Sequence, residues 1–101
     1  MKKIIDGKKY DTETAPVVAA YEYSYKSEYD WYREELHKKR TGEYFLYGKG
    51  GAGSIYAECI SNHEYGPGEE IHPLTPEEAQ KWAIERLDVD EYEKIFGEVE
   101  E

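Results

Sequence analysis

Hydrophobic and polar positions alternate in short runs over the first two-thirds of the chain, and this alternation predicts β-strands. Residues 4–10 contain a central Asp-Gly pair, which supplies the positive φ angles of a type I′ turn and therefore predicts a hairpin. Tyr21, Tyr23 and Tyr25 are separated by single polar residues, which is the period of a strand. Residues 12–20 fit no single pattern.

A second hairpin is predicted around the turn-forming Thr-Gly pair at Thr41 and Gly42. Its arms are residues 31–39, which also contain helix-forming residues, and residues 43–47. Glycine and proline then interrupt the pattern, so the sequence predicts mostly irregular structure up to residue 69. The remaining assignments are a loose glycine-rich segment at 48–53, an element of undecided type at 54–60, a loop at 62–68 and a short strand at 70–72.

The last quarter of the chain has the pattern of two helices. Thr75, Pro76 and Glu78 have the order of an N-cap, a first-turn proline and a capping-box glutamate. A second helix is predicted from Asp88 to a closing Gly97. The helical side chains predicted to face inward are Trp82, Leu87, Tyr92, Ile95 and Phe96.

This order of elements predicts a single α+β domain over residues 1–101, a small antiparallel sheet of three to five strands packed against C-terminal helices. The chain has 101 residues, of which 39% are hydrophobic, and this fits one small core. Its 11 tyrosines must supply much of the buried area. A single cysteine suits a reducing compartment, and neither an apolar run of ~20 residues nor a signal-peptide pattern is present. We therefore expect a cytoplasmic protein that does not enter membranes.

Charge is distributed unevenly along the chain, whose net charge is −10. Residues 1–57 carry 9 acids and 10 bases, whereas residues 58–101 carry 14 acids and 3 bases. Nucleic acids and anionic membranes are themselves polyanions, so this balance disfavours direct binding to either. It favours a basic protein partner, and the competing explanation is a solvated helix surface.

The sequence offers few candidates for catalysis or metal binding. Residues 48–53 match G-x-G-x-x-G, but the preceding strand belongs to a predicted hairpin, so a glycine-rich turn explains them better than a nucleotide site. The spacing of Cys59, His63 and His72 matches no usual zinc pattern. The acids of residues 88–93 lack the glycine register of a calcium loop. We therefore expect no enzymatic activity, no cofactor and no metal.

Two groups of residues are predicted to contact a protein partner. Residues 21–32 form an aromatic stretch that supplies Tyr23, Tyr25, Tyr29 and Trp31. Tyrosine and tryptophan dominate interface hot spots, and core packing is the alternative explanation for them. Glu78 and Asp88 are set aside because each is a predicted helix cap. The acidic group is Glu64, Glu69, Glu70, Glu77, Glu85, Asp90, Glu91 and Glu93.

Four segments carry a family resemblance: residues 4–15, 41–48, 73–79 and 90–98. In these segments the chain resembles small acidic proteins of phages and other mobile elements, some of which are anti-CRISPR inhibitors. The shared motifs mark a fold and carry no chemistry, and the chain departs from them at Pro16, in the aromatic stretch and at His72.

The resemblance implies a non-enzymatic inhibitor of a CRISPR effector nuclease, acting in a bacterial host cell. Effector channels hold nucleic-acid backbones with lysine and arginine, so carboxylates that stand in for phosphates would compete there as a DNA mimic. The alternative is an interaction module of a phage or mobile element, such as an accessory regulator or an antitoxin-like partner.

Overall fold

A four-stranded antiparallel sheet organises the chain, and the computed structural model describes all 101 residues. The strand order in this sheet is β3-β4-β5-β8, while β1–β2 and β6–β7 form separate two-stranded sheets. The fold is α+β, which confirms the predicted class. The elements are β1 (Lys2–Ile5), β2 (Lys8–Asp11), β3 (Val17–Tyr23), β4 (Tyr32–Lys38), β5 (Tyr44–Gly50), β6 (Glu58–Ser61), β7 (Glu64–Gly66), β8 (Gly68–Leu74), α1 (Pro76–Arg86) and α2 (Val89–Phe96).

The two faces of the main sheet bury different side chains because successive residues of a strand point to opposite faces. Leu36 and Leu46 lie on one face, which we call the helix side, and pack with the buried residues of α1. Phe45 and Ile71 lie on the other face, the hairpin side, and pack with Tyr10 of β2. The sheet is thus a central layer between two helices and the β1–β2 hairpin.

Both predicted hairpins are confirmed, and their turns have the backbone angles that their residues favour. Asp6 and Gly7 have φ angles of 51° and 76°, the positive values that a type I′ turn requires. Gly42 has a φ of 93° in the turn between β4 and β5. Glycine reaches this conformation without strain because it has no Cβ.

The two predicted helices are also confirmed. The Thr75 hydroxyl accepts from the Glu78 amide at 3.1 Å, and the Glu78 carboxylate accepts from the Thr75 amide at 2.9 Å, which completes a capping box. Asp88 caps α2 and Gly97 ends it. Neither helix has the length and apolar character needed to cross a bilayer.

The structure corrects the predictions between residues 48 and 68. Residues 48–50 belong to β5, although the glycines predicted a loose segment. Glycine is present at Gly48 because a Cβ there would overlap the ring of Tyr56. The predicted loop at 62–68 contains β7 and the first residue of β8. Tyr25 lies beyond the end of β3, so the tyrosine alternation extends past the strand.

The Thr75 cap gives a direct test of the helix start. Thr75→Ala removes the hydroxyl that satisfies the Glu78 amide, so we expect the free energy of unfolding to fall by about 1 kcal/mol. Urea denaturation measures this loss. Thr14→Ala is the control, because the exposed Thr14 side chain makes no hydrogen bond, and it should change stability by less than ~0.5 kcal/mol. Equal effects of the two substitutions would contradict the capping role.

Candidate functional site

One buried carboxylate, that of Glu34, lies on the helix side of β4. Its residue is 3% exposed, and three side chains donate hydrogen bonds to it. The Tyr56 hydroxyl donates to Oε2 at 2.5 Å, while Trp82 Nε1 and Arg86 Nε donate to Oε1, each at 2.9 Å. A buried carboxylate is tolerated only when it is paired and hydrogen-bonded. The Glu34 network therefore joins β4, the segment before β6 and helix α1.

Strand periodicity explains why Glu34 points inward. It lies two residues from both Tyr32 and Leu36, so it shares their face of the sheet. Gly48 stands opposite Glu34 in β5 and leaves the space that the Tyr56 ring occupies. Glu34 is absent from the predicted site residues, and the signal that would find it is its position on this apolar face.

Burial raises the pKa of three tyrosine hydroxyls. For Tyr56 the desolvation is reinforced by the hydrogen bond to Glu34, and for Tyr47 by the hydrogen bond to Glu69. Burial also raises the pKa of Tyr32, with the charge of Glu34 adding to the effect. A raised pKa keeps each phenol protonated to a higher pH, so Tyr56 and Tyr47 remain hydrogen-bond donors.

The predicted acids of the C-terminal region lie mostly on α1 and α2, whose outward surface we call the helical face. Most of its exposed carboxylates make no ion pair within the chain. The exception is Glu85, which accepts from Arg86 at 3.2 Å. Glu93 is half-buried and accepts from the backbone amide of Val99. The exposed predicted acids of the helical face are Glu77, Glu85, Asp90 and Glu91.

The predicted acids of the strands are separated from one another. Glu70 lies on the helix side and contacts His72 at 2.7 Å. Glu69 lies on the hairpin side, where it accepts from the Tyr47 hydroxyl. Glu64 belongs to β7, in a different two-stranded sheet. The structure therefore places five of the predicted acids on the two helices and these three on strands.

Cations gather on the hairpin side. Strands β1 and β2 carry four lysines in eight residues, whereas residues 76–101 carry ten acids and three bases. One of the lysines, Lys8, pairs with Glu43 at 3.0 Å, and this contact lowers the pKa of Glu43 and raises that of Lys8. The main sheet thus separates an acidic helical layer from a hairpin that is rich in lysine.

The aromatic stretch divides into exposed and buried residues. Tyr23, Tyr25 and Tyr29 are exposed, and Tyr23 stacks on Tyr32 with ring centroids 5.1 Å apart. Trp31 lies in the interior and is only 9% exposed, which leaves little of its side chain for a partner to contact. The three exposed tyrosines are the part of this stretch that has surface available.

The cysteine, histidines and glycine-rich segment considered in the sequence have ordinary structural surroundings. No group of three or more histidine, cysteine, aspartate or glutamate side chains is placed to hold a metal ion. Cys59 is exposed and its thiol donates to the Ser61 carbonyl. In the glycine-rich segment, a Cβ at Gly53 would overlap the ring of Tyr29 and a Cβ at Gly50 would overlap Ser54, so close packing accounts for these glycines.

Comparisons of the chain with protein-family models, curated proteins and solved structures gave no match. The functional argument therefore depends on the chain's own residues, above all on the helical face and the exposed tyrosines.

The Glu34 network is tested by Glu34→Gln, which keeps the side-chain volume. The amide presents N–H groups to donors and removes the charge opposite Arg86, so the free energy of unfolding should fall by about 3 kcal/mol. Glu22→Gln on the neighbouring strand is the control, because Glu22 is exposed and makes no ion pair. A loss below ~1 kcal/mol for Glu34→Gln would show that the network does not stabilise the fold.

Tyr56 makes the free energy of unfolding depend on pH in the alkaline range. The unfolded chain releases its Tyr56 proton near pH 10, whereas the folded chain keeps it because the pKa is raised. The stabilisation is therefore complete below about pH 10 and falls as the pH rises further. Chemical denaturation across this range should show a shallower decline for Tyr56→Phe than for the natural chain. Tyr25→Phe, which removes an exposed hydroxyl without a hydrogen bond, should keep the natural slope. Identical slopes in all three chains would contradict the assignment.

Proposed function

We propose that this protein is a non-enzymatic inhibitor that binds a basic nucleic-acid-binding protein through its helical face and excludes the nucleic acid. The target that we propose is a CRISPR effector nuclease in a bacterial host cell. The observation that carries the proposal is the separation of charge across the sheet, with unpaired carboxylates on the helices and lysines on the hairpin side. A channel lined with lysine and arginine attracts such a face.

The helical face holds its carboxylates on a fixed scaffold. Both helices are capped, and α1 is anchored through Trp82 and Arg86 to Glu34. Asp90 and Glu93 are one helical turn apart, which places their Cβ atoms ~5–6 Å from each other. A fixed helical backbone does not have to be ordered on binding, so it lowers the entropic cost of presenting these acids to a partner.

Apolar residues among the acids add to the case for an interface. Ile84 of α1 is 68% exposed and Val89 at the start of α2 is 69% exposed. Charge steers association and selects the partner, but affinity depends mainly on desolvated apolar anchors. Ile84 and Val89 would supply such anchors on the helical face.

A second candidate function is an interaction module of a phage or mobile element, such as an accessory regulator or an antitoxin-like partner. It is favoured by the β3 edge, because β3 pairs only with β4 and no other hydrogen bond of the chain reaches its backbone. The exposed Tyr25 and Tyr29 follow this edge in the chain. An extended segment of a partner could add a strand there, with the tyrosines as anchors.

Removal of three charges from the helical face tests the first proposal. The variant Glu77→Gln, Asp90→Asn and Glu91→Gln should raise the Kd for purified effector–guide complexes about tenfold or more. Competition with DNA, followed by fluorescence anisotropy, measures this Kd. Binding of the natural chain should weaken steeply as salt rises, because phosphate mimicry depends on unscreened charge. All three are first-turn acids that contribute ~0.3–1 kcal/mol each, so the variant should lose about 1–3 kcal/mol of stability, and thermal unfolding must show that it is folded at the temperature of the binding assay.

The matched control removes three exposed acids elsewhere, with Glu13→Gln, Glu22→Gln and Glu28→Gln. It changes the net charge by the same amount and should keep the natural Kd. If the two triple variants lose affinity equally, the helical face is not the interface. If Tyr25→Ala with Tyr29→Ala abolishes binding while the helical variant retains it, the second candidate function replaces the first. If the protein does not change DNA binding by any effector tested, the proposed target class is refuted.

A further inference from the structure

An open cleft of about 710 Å³ lies at one end of the main sheet. It is formed where β4 begins, β5 ends and β8 begins, and the loops before β4 and before β6 complete its wall. None of its lining residues belongs to α1 or α2, so it is distinct from the helical face. Its volume falls within the range of small-molecule sites in proteins.

Three lysines from separate parts of the chain line this cleft: Lys3 of β1, Lys26 of the β3–β4 connection and Lys49 of β5. None of them makes an ion pair within the chain, although most other basic side chains on the hairpin side do. Separate elements thus converge on the same space with ammonium groups that lack an anionic partner. A charged group in such a position has hydrogen-bonding capacity to offer a ligand.

Acidic side chains also line the cleft, but two of the three are already engaged. Glu69 accepts from the Tyr47 hydroxyl and Glu70 contacts His72, each through one carboxylate oxygen, while the Glu58 side chain makes no hydrogen bond. The three lysines, by contrast, have no partner within the chain. They are the groups to which an anionic ligand would supply partners.

Trp31 provides an independent observation. It lines the cleft, and its indole Nε1 is the one buried side-chain nitrogen or oxygen in the chain without a hydrogen-bond partner. The other tryptophan, Trp82, donates to Glu34. Buried donors in native proteins are nearly always satisfied, so an orphaned N–H beside a cleft indicates that an acceptor belongs nearby.

We propose that this cleft binds a small anionic ligand that carries phosphate or carboxylate groups. Lys3, Lys26 and Lys49 meet its charge, and a small shift of the cleft wall lets an acceptor atom or a bound water reach the buried Trp31 Nε1. The site does not use the acids of the helical face, so its test is independent of the proposed inhibition.

The indole signals of the two tryptophans make a direct test in the full-length protein. Pyrophosphate and citrate are titrated separately while ¹H–¹⁵N NMR spectra follow both indole N–H groups. We expect the Trp31 signal to shift in a saturable manner and the Trp82 signal to stay in place. Trp31→Phe assigns the signals, and Trp82→Phe does so if the first variant fails to fold. Sodium chloride at matched ionic strength should produce no saturable shift.

Charge removal in the cleft provides the second arm. Lys26→Gln with Lys49→Gln should weaken the response at least tenfold, whereas Lys81→Gln with Lys94→Gln on the helices should leave it unchanged. A response to pyrophosphate alone identifies a phosphate ligand, and a response to citrate alone identifies a carboxylate ligand; either supports the site. The absence of a saturable shift with both probes overturns it. A shift of the same size with sodium chloride or in the Lys26–Lys49 variant also overturns it.

Discussion

The pairing of one buried carboxylate is the constraint on which the rest of this structure depends. Glu34 lies on the central strand β4, where desolvation of its charge is acceptable only with donors close by. Trp82 and Arg86 bring α1 onto the sheet to supply two of these donors. Tyr56 supplies the third, and its ring fits only because Gly48 has no side chain. The position of the helix, the course of the segment before β6 and the glycine in β5 are thus all compatible with the pairing of this one desolvated charge, together with the apolar packing of α1 on the sheet.

Because of the layered architecture, the uneven distribution of charge along the sequence becomes a separation of charge between two faces of the molecule. The acidic C-terminal region forms the layer on the helix side, and the lysine-rich N-terminal hairpin covers the opposite face. Because a sheet lies between them, most opposite charges cannot neutralise one another by direct contact. The acids consequently remain available on the helical face. On the hairpin side most cations pair with nearby acids, and the unpaired lysines include those that line the cleft.

Local signals predicted the elements that depend on local chemistry. The Asp6-Gly7 turn, the Thr75 capping box and the Gly97 stop were recognisable because neighbouring residues in the chain determine each of them. The structural role of the glycines in residues 48–53 could not be recognised in this way. These glycines leave room for the rings of Tyr56 and Tyr29, which are distant in the chain, and for the neighbouring Ser54. The same limit applies to the site. Sequence could identify acids on the helices, but only the strand register shows which face of the sheet Glu69 and Glu70 each occupy.

Helix chemistry explains only part of the acidity of the helical face. Acids in a first turn are favoured by the helix dipole, and four of them occupy first turns: Glu77, Glu78, Asp90 and Glu91. Glu85 lies in the last turn of α1, where the dipole disfavours an acid, and only its contact with Arg86 offsets this. Three further acids follow the C-terminal end of α2, at residues 98–101, beside the negative end of its dipole. Apart from the Glu85–Arg86 contact, no ion pair of the chain stabilises the acids in these places, and mutual repulsion makes them unfavourable. In the proposed complex a cationic partner supplies the favourable interaction that the fold itself does not.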